Sequence, residues 1–203
     1  MIYLDDLLKA GDFAQAVNAI AKDFRDKYKI PDIFQLGIVV PDVEDAAAEL
    51  EGKGFGPFFI ASDTLDLWRE HGKSEKFQGK VGIAYYKGFE LELLESGIGS
   101  DFYKSCVDNR GRMVIQHLGF HSSDVDKQAR SLEEIGCPTW VRGRIKSFSL
   151  VTDFAYMDTR AEAGIIFEFI DMKLMGFPIK LSAGIVHPLG RLEKIIGKRS
   201  LSF

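Results

Sequence analysis

The stretch Ile115-Gln116-His117-Leu118-Gly119-Phe120-His121-Ser122-Ser123-Asp124 decides the fold of this chain. It reads as a short strand that ends at a helix cap. Side chains alternate between the two faces of a strand. His117, Gly119 and His121 therefore share one face, and Leu118 and Phe120 share the other. The apolar face packs. The opposite face offers an imidazole, a bare backbone position and a second imidazole. Two hydrogen-bonded histidines on a half-buried strand would look the same, so the stretch needs support from elsewhere in the chain.

That support is a repeat. A shift of 82 residues lays Gln35 on His117, Gly37 on Gly119, Asp42 on Asp124, Val43 on Val125, Leu50 on Leu132 and Gly54 on Gly136. The match runs from a strand through an Asp placed to cap a helix N-terminus. It continues along an amphipathic helix with Ala47 and Leu50, or Ala129 and Leu132, on one side. It ends at a glycine where a left-handed residue closes the helix. Two copies are too few for a solenoid, so they predict one domain of two similar halves. Each half continues with a hairpin, residues 79–86 and 89–95 in the first, 154–158 and 164–171 in the second. In Phe89-Glu90-Leu91-Glu92-Leu93 both carboxylates take the face opposite Phe89, Leu91 and Leu93. In Ile165-Ile166-Phe167-Glu168-Phe169-Ile170 the one carboxylate sits among apolar neighbours on both sides. A strand apolar on both faces is buried on both, and an unpaired charge there is costly, so Glu168 needs a partner.

With these residues in view, the chain resembles the vicinal oxygen chelate superfamily, the group of glyoxalases, bleomycin-resistance proteins and extradiol dioxygenases. The resemblance covers about residues 32–172. It implies an α+β fold in which two βαβββ modules, residues 32–96 and 113–172, form a cupped mixed sheet in a single domain, 32–172. A helical arm (residues 1–31) precedes the domain and a tail (residues 173–203) follows it. The resemblance also implies one metal, ligated from the first and last strand of each module. Carried over by position, the ligands are Gln35, Glu92, His117 and Glu168, a set similar to that of the zinc-type glyoxalase I branch. The run Gly54-Phe55-Gly56-Pro57-Phe58 is more like the branch that includes methylmalonyl-CoA epimerase. That branch expects His in place of Gln35 and Gln in place of Glu92, so the chain departs from it twice.

One imidazole, one amide oxygen and two carboxylates suit Zn²⁺, Ni²⁺, Co²⁺, Mn²⁺ or Fe²⁺. The function implied is that of a metal-dependent lyase or isomerase. It would move a proton alpha to a carbonyl on a small organic substrate, such as a thioester or thiol adduct. Glu168 would be the base and Glu92 its partner on the opposite face. The alternative from another class is a protein that sequesters a small planar ligand between its aromatic rings. An iron-dependent ring-cleaving dioxygenase matches less well, because that group uses two His and one Glu and only His117 fits. His121 is two residues too far along the strand from Gly119 to join the set.

For substrate contacts the sequence offers Trp68, Tyr85, Arg142 and Arg144. Trp68 either walls a pocket, within a polar and irregular stretch at residues 64–78, or covers the edge of the core. Arg142, Arg144 and Lys146 alternate along one face of a strand. They either clamp an anionic group or protect a solvent-facing edge. Residues 1–28 carry a broad apolar stripe, broken at Gly11, and read as a packing or dimerisation helix. A short helix is expected at 101–108 and another near 188–196. Arg191, Lys194, Lys198 and Arg199 are expected on a solvated face, and His71 and His187 at the surface. A net charge of −4 gives no reason to expect nucleic acid or an anionic membrane as a partner. No apolar run approaches the length of a membrane span. The acidic start lacks the basic region of a secretory signal. Cys106 and Cys137 lack metal-type spacing and read as free thiols of a reducing, cytoplasmic compartment. A homodimer with a small-molecule substrate completes the expectation.

Overall fold

In the computed structural model the chain begins with a two-residue strand, β1 (Ile2–Tyr3), and three short helices, α1 (Leu4–Leu8), α2 (Phe13–Ala19) and α3 (Lys22–Tyr28). The single arm helix expected from the stripe is thus divided. Asp12 caps α2 by accepting from the Gln15 N–H, and Ala21 turns left-handed at φ 50° before α3. The first half then runs β2 (Gln35–Val39), α4 (Val43–Gly52), β3 (Phe59–Thr64), β4 (Leu67–Glu70), β5 (Lys73–Glu75), β6 (Gln78–Tyr86) and β7 (Phe89–Leu94). A 3₁₀ turn at Lys104–Cys106 stands where a short helix was expected. The second half runs β8 (Val114–His121), α5 (Val125–Glu133), β9 (Thr139–Ser147), β10 (Leu150–Met157), α6 (Arg160–Ala163) and β11 (Ile166–Leu174). The chain closes with β12 (Phe177–Pro178), α7 (Ala183–Ile196) and β13 (Leu201–Ser202). The structure describes residues 1–197, Asp63 by its backbone alone, and the backbone of 201–202. Lys198 and Arg199 lie outside the described residues.

Both repeated caps form. Asp42 accepts from the Asp45 N–H and Asp124 from the Lys127 N–H. Gly54 and Gly136 close the two helices at φ +90° and +89°, a conformation that costs glycine nothing. One sheet carries both halves, in the order β13-β3-β6-β7-β2-β8-β11-β10-β9-β4-β5. The first strands of the halves, β2 and β8, meet antiparallel at its centre. Each lies parallel to the last strand of its own half, β7 or β11. The sheet is therefore mixed, and it curls into a half-barrel.

The outer face of the sheet is apolar and covered. Leu36, Ile38, Leu91, Leu118, Phe120 and Phe167 pack there against the helices. The N-terminal arm reaches both halves, with Phe13 5.9 Å from Phe89 and Phe24 5.5 Å from Phe167, ring to ring. The arm thus serves as packing for the convex face. Residues 64–78, expected to be irregular, form β4 and β5. β4 belongs to the first half by sequence but pairs with β9 of the second, Trp68 opposite Gly143. The tail also differs from expectation. α7 starts at Ala183, with Pro188 inside it, and packs on β3 and β6. Gly190 makes this approach possible, since a Cβ there would lie 2.4 Å from the Phe58 carbonyl oxygen. Glu193, fully buried, accepts from the Ile60 N–H, and Lys194 pairs with Glu51 at 2.7 Å. Among the described residues no helix is long and apolar enough to cross a membrane.

Candidate metal centre

Strand register places the site. Across the concave face one row of paired positions reads Tyr85, Glu90, Gln35, Gly119, Glu168 and Tyr156. The next row reads Ile83, Glu92, Gly37, His117 and Ile166. The repeat makes Gly37 equivalent to Gly119. Glu92 lies beside Gly37 as Glu168 lies beside Gly119, so the two carboxylates occupy equivalent positions of the halves. Each glycine clears space for the polar side chain facing it. A Cβ on Gly37 would lie 1.7 Å from the His117 ring, and one on Gly119 would lie 2.3 Å from the Gln35 amide oxygen.

Ligand atoms of Glu92, His117 and Glu168 lie within 4.8 Å of one another. His117 Nε2 is 3.1 Å from Glu168 Oε2 and 3.4 Å from Glu92 Oε2. These are ion-pair separations without hydrogen-bond angles. All three atoms are buried and lack a hydrogen-bond partner among the described residues, as does Gln35 Oε1. Buried polar atoms are rarely left so. His117 is fully buried, and its Nδ1 lies 2.9 Å from the Gln116 amide oxygen. That oxygen accepts the Nδ1 proton and leaves Nε2 aimed into the cluster, the arrangement that orients a metal-binding imidazole. Burial lowers the His117 pKa, but the Glu168 and Glu92 carboxylates more than offset it and hold the ring at about 9. Burial likewise raises Glu92. A proton on Nε2 and a divalent cation are alternatives for the same place between two carboxylates. One imidazole nitrogen, two carboxylate oxygens and an amide oxygen, all turned inward and unpartnered, fit a borderline divalent ion.

Gln35 is oriented by a neighbour. Its amide nitrogen donates to Glu90 Oε1 at 2.8 Å, and the Tyr85 hydroxyl donates to the other oxygen of the same carboxylate. Burial and the nearby Glu92 push Glu90 up to about 7, against those two hydrogen bonds. Glu90 stands where the second half has Ile166, so it breaks the equivalence of the halves. The alternation Glu90-Leu91-Glu92 placed it on the site face, but sequence reasoning gave it no role. Gln116 and the hydroxyl pair Tyr103–Tyr156, 2.8 Å apart, were also missed. Those two tyrosines are fully enclosed, and burial holds their pKa well above the usual phenol value.

The cluster forms the floor of a cavity of about 360 Å³, to which Gln35, Glu90, Glu92 and Glu168 contribute their side chains. Phe34, Phe77, Tyr103, Phe154 and Tyr156 form walls. His121 joins them, stacked on Phe34 with ring centroids 3.6 Å apart. The structure corrects all four substrate contacts expected from the sequence, none of which lines the cavity. Trp68 is 1 % exposed and stacks on Phe77, one layer behind the wall. Arg142 donates to Asp126 and Asp153, and Arg144 to Asp153, at 2.8–2.9 Å. The alternation of β9 sends Ile145 and Ser147 into the cavity, so Arg142 and Arg144 point to the opposite side of the sheet, where Asp153 of β10 stands beside them. Tyr85 meets Glu90 and is not part of the lining. His187, expected at the surface, is half-buried and accepts from the Tyr85 N–H.

Residues 34–156 match the family model described as the Glyoxalase/Bleomycin resistance protein/Dioxygenase superfamily. A search of curated proteins gave no match. Similar solved structures include a hypothetical protein from Bacillus halodurans, at 16% identity and TM-score 0.43, covering 68% of this chain and 92% of that one. A variant of Streptomyces coelicolor methylmalonyl-CoA epimerase, in complex with 2-nitronate-propionyl-CoA, is similar at 13% identity and TM-score 0.48, covering 70% and 94%. A mutant of 4-hydroxymandelate synthase from Streptomyces coelicolor is similar at 11% identity and TM-score 0.49, covering 82% and 55%. Likenesses at this level say nothing of substrate or reaction.

Proposed function

We propose that this chain, which belongs to the glyoxalase/bleomycin resistance protein/dioxygenase superfamily, holds one divalent metal ion among Gln35, Glu92, His117 and Glu168 and moves a proton at the carbon next to a substrate carbonyl. Such an ion supplies a Lewis acid that polarises the carbonyl oxygen. The chain supplies the rest. Glu168 takes the proton, from a strand whose flanking Phe167 and Phe169 are fully buried. Glu92, at the equivalent position of the other half and raised by burial, gives a proton of its own to the opposite face, and exchange with solvent restores both carboxyls. Glu90 holds the Gln35 amide so that its oxygen turns inward. The aromatic walls keep water from the reacting carbon, which makes each charge interaction stronger. A homodimer in a reducing, cytoplasmic compartment belongs to the same proposal.

The observation that carries this reading is the convergence of Glu92, His117 and Glu168, three buried ligand atoms without hydrogen-bond partners among the described residues, with the Gln35 amide oxygen buried and equally unsatisfied, at the floor of a cavity lined mainly by apolar side chains. Elemental analysis of protein reloaded after chelation should give about one ion per chain, by the single-site donor count. Solvent-deuterium exchange at the substrate α-carbon, followed by NMR, tests the chemistry on a panel of 2-substituted thioesters, thiohemiacetals and simple ketones. Glu168→Gln keeps an oxygen ligand and removes the base. It should keep the metal and lose roughly two or more orders of magnitude in exchange rate. Full exchange in that variant, with metal retained, would move the base to Glu92. Failure to take up Zn²⁺, Ni²⁺, Co²⁺, Mn²⁺ or Fe²⁺ would leave a protein that sequesters its ligand.

A further inference from the structure

We propose that the substrate has a compact, uncharged and largely apolar body, and that the chain's own C-terminal segment, residues 179–189, selects it. The polar head of that substrate rests on the metal-and-carbonyl reading above. Its body is inferred from separate observations.

The first observation is where the cavity's roof comes from. Ile179, Leu181, Val186 and Leu189 all line the cavity, and all lie beyond residue 156, where the family match ends. The segment is anchored on both sides of the cup. At its start β12 pairs with β11 of the second half, Lys173 opposite Pro178. At its end α7 sits on the first half through the close approach of Gly190 to Phe58, the Glu193 bond to the Ile60 N–H and the His187 bond to the Tyr85 N–H. It therefore spans the mouth between the halves and presents four apolar side chains inward.

The second observation is charge. Among the described residues the lining carries the carboxylates Glu90, Glu92, Glu95 and Glu168 and only two cationic side chains, Lys80 and Lys180. Lys80 is committed to Glu44 at 3.0 Å and Glu95 at 3.9 Å. Lys180 is exposed, at the mouth. Arg142 and Arg144 are engaged by acids on the other side of the sheet. His121, in the wall, is held neutral, with burial lowering its pKa to about 4. A carboxylate or phosphate on the substrate's body would meet carboxylates and apolar walls, which is costly for a buried charge. The third observation is size. A volume of about 360 Å³ stands at the low end of ligand cavities, which run from roughly 300 to 1,000 Å³. A nucleotide-bearing handle would have to leave through the mouth that the segment covers.

The test uses the full chain and two pairs of probes. In the presence of a chelator, 2-naphthol and 6-hydroxy-2-naphthoate are titrated by their own fluorescence. With Co²⁺ added, benzohydroxamate and 4-carboxybenzohydroxamate are titrated by the cobalt absorption band. In each pair the uncharged member should bind at least about tenfold more tightly, since the partner buries a charge without a counterion. Leu189→Lys, at a lining position that is 40% exposed, should narrow that ratio at least about fivefold by improving the carboxylated probe. Leu181→Trp should weaken 2-naphthol about tenfold by filling the cavity, with the melting temperature retained. Equal or tighter binding of the carboxylated probes to the unmodified chain would overturn the proposal. So would unchanged affinities in Leu189→Lys, which stands as the test of the roof if Leu181→Trp does not fold. Naphthol selectivity without any cobalt band supports this inference and removes the metal from the reading above.

Discussion

Gly37 and His117 face each other across the central strand pair, and the site exists because one of them has no side chain. The imidazole lies over the glycine, and a methyl group there would overlap its ring at 1.7 Å. A ring held by Gln116 in a packed interior has little room to yield, so the strand must shift or the ring must leave. Gly37→Ala should therefore cost roughly 1–3 kcal/mol of stability, as overpacking does, and should abolish uptake of the ion. Gly119→Ala repeats the test in the other half. Its methyl group meets the Gln35 amide oxygen at 2.3 Å, which can rotate away, and the Gln35 Cβ at 2.7 Å, which cannot. That variant should also lose roughly 1–3 kcal/mol of stability, because the strands must move apart, and should lose metal affinity through Gln35. Urea unfolding and zinc titration of both variants make the comparison. Wild-type stability and zinc binding in Gly37→Ala would show that the imidazole does not occupy the space over Gly37.

At the scale of elements, α7 is set by contacts rather than by its own composition. Gly in a helix interior is worth about 1 kcal/mol less than Ala in an isolated helix, so Gly190→Ala would be expected to stabilise α7 taken alone. Here the added methyl group would meet the Phe58 carbonyl at 2.4 Å, and backbone cannot swing aside. The prediction is a net loss of roughly 1–3 kcal/mol, confined to this element. Hydrogen exchange should show the α7 amides opening while those of β2, β7, β8 and β11 stay protected. A gain in stability would mean that the helix does not press on β3. Element packing also explains β4. Trp68 gains burial behind Phe77 by crossing to the free side of β9, and so ties the two halves together at the far end of the sheet.

For the molecule as a whole, the four donors come from β2, β7, β8 and β11, two strands from each half. An ion held by all four binds the folded chain and not the separated halves. At free metal one hundred times the dissociation constant, it should stabilise by about 2.7 kcal/mol. For a chain of this size that corresponds to a rise of roughly 5–11 °C in melting temperature. Calorimetry with and without zinc checks this, with His117→Ala as the control. A full shift in that variant would place the ion somewhere else.

The chain's local periodicities determined much of this. Alternation along β2, β7, β8 and β11 sorted Gln35, Glu90, Glu92, His117 and Glu168 onto faces, because two-residue periodicity is a property of extended backbone alone. The repeated Asp caps and closing glycines located α4 and α5, because a cap satisfies only groups within its own turn. The alternation of Arg142, Arg144 and Lys146 was equally legible, but it says only that they share a face. Which face became concave was decided by the curl of the sheet and by Asp153 on the neighbouring strand. Glu90 was visible beside Glu92, yet its role depended on the parallel register that sets it opposite Gln35. The tail read as a solvated helix because its charges are local, and its burial is not. Only the folded sheet offers the Phe58 carbonyl, the Ile60 N–H and the open cup that turn residues 179–189 into a roof. Local patterns record how a segment would present its side chains. What those side chains meet depends on contacts distant in sequence, and these exist only after the halves have closed.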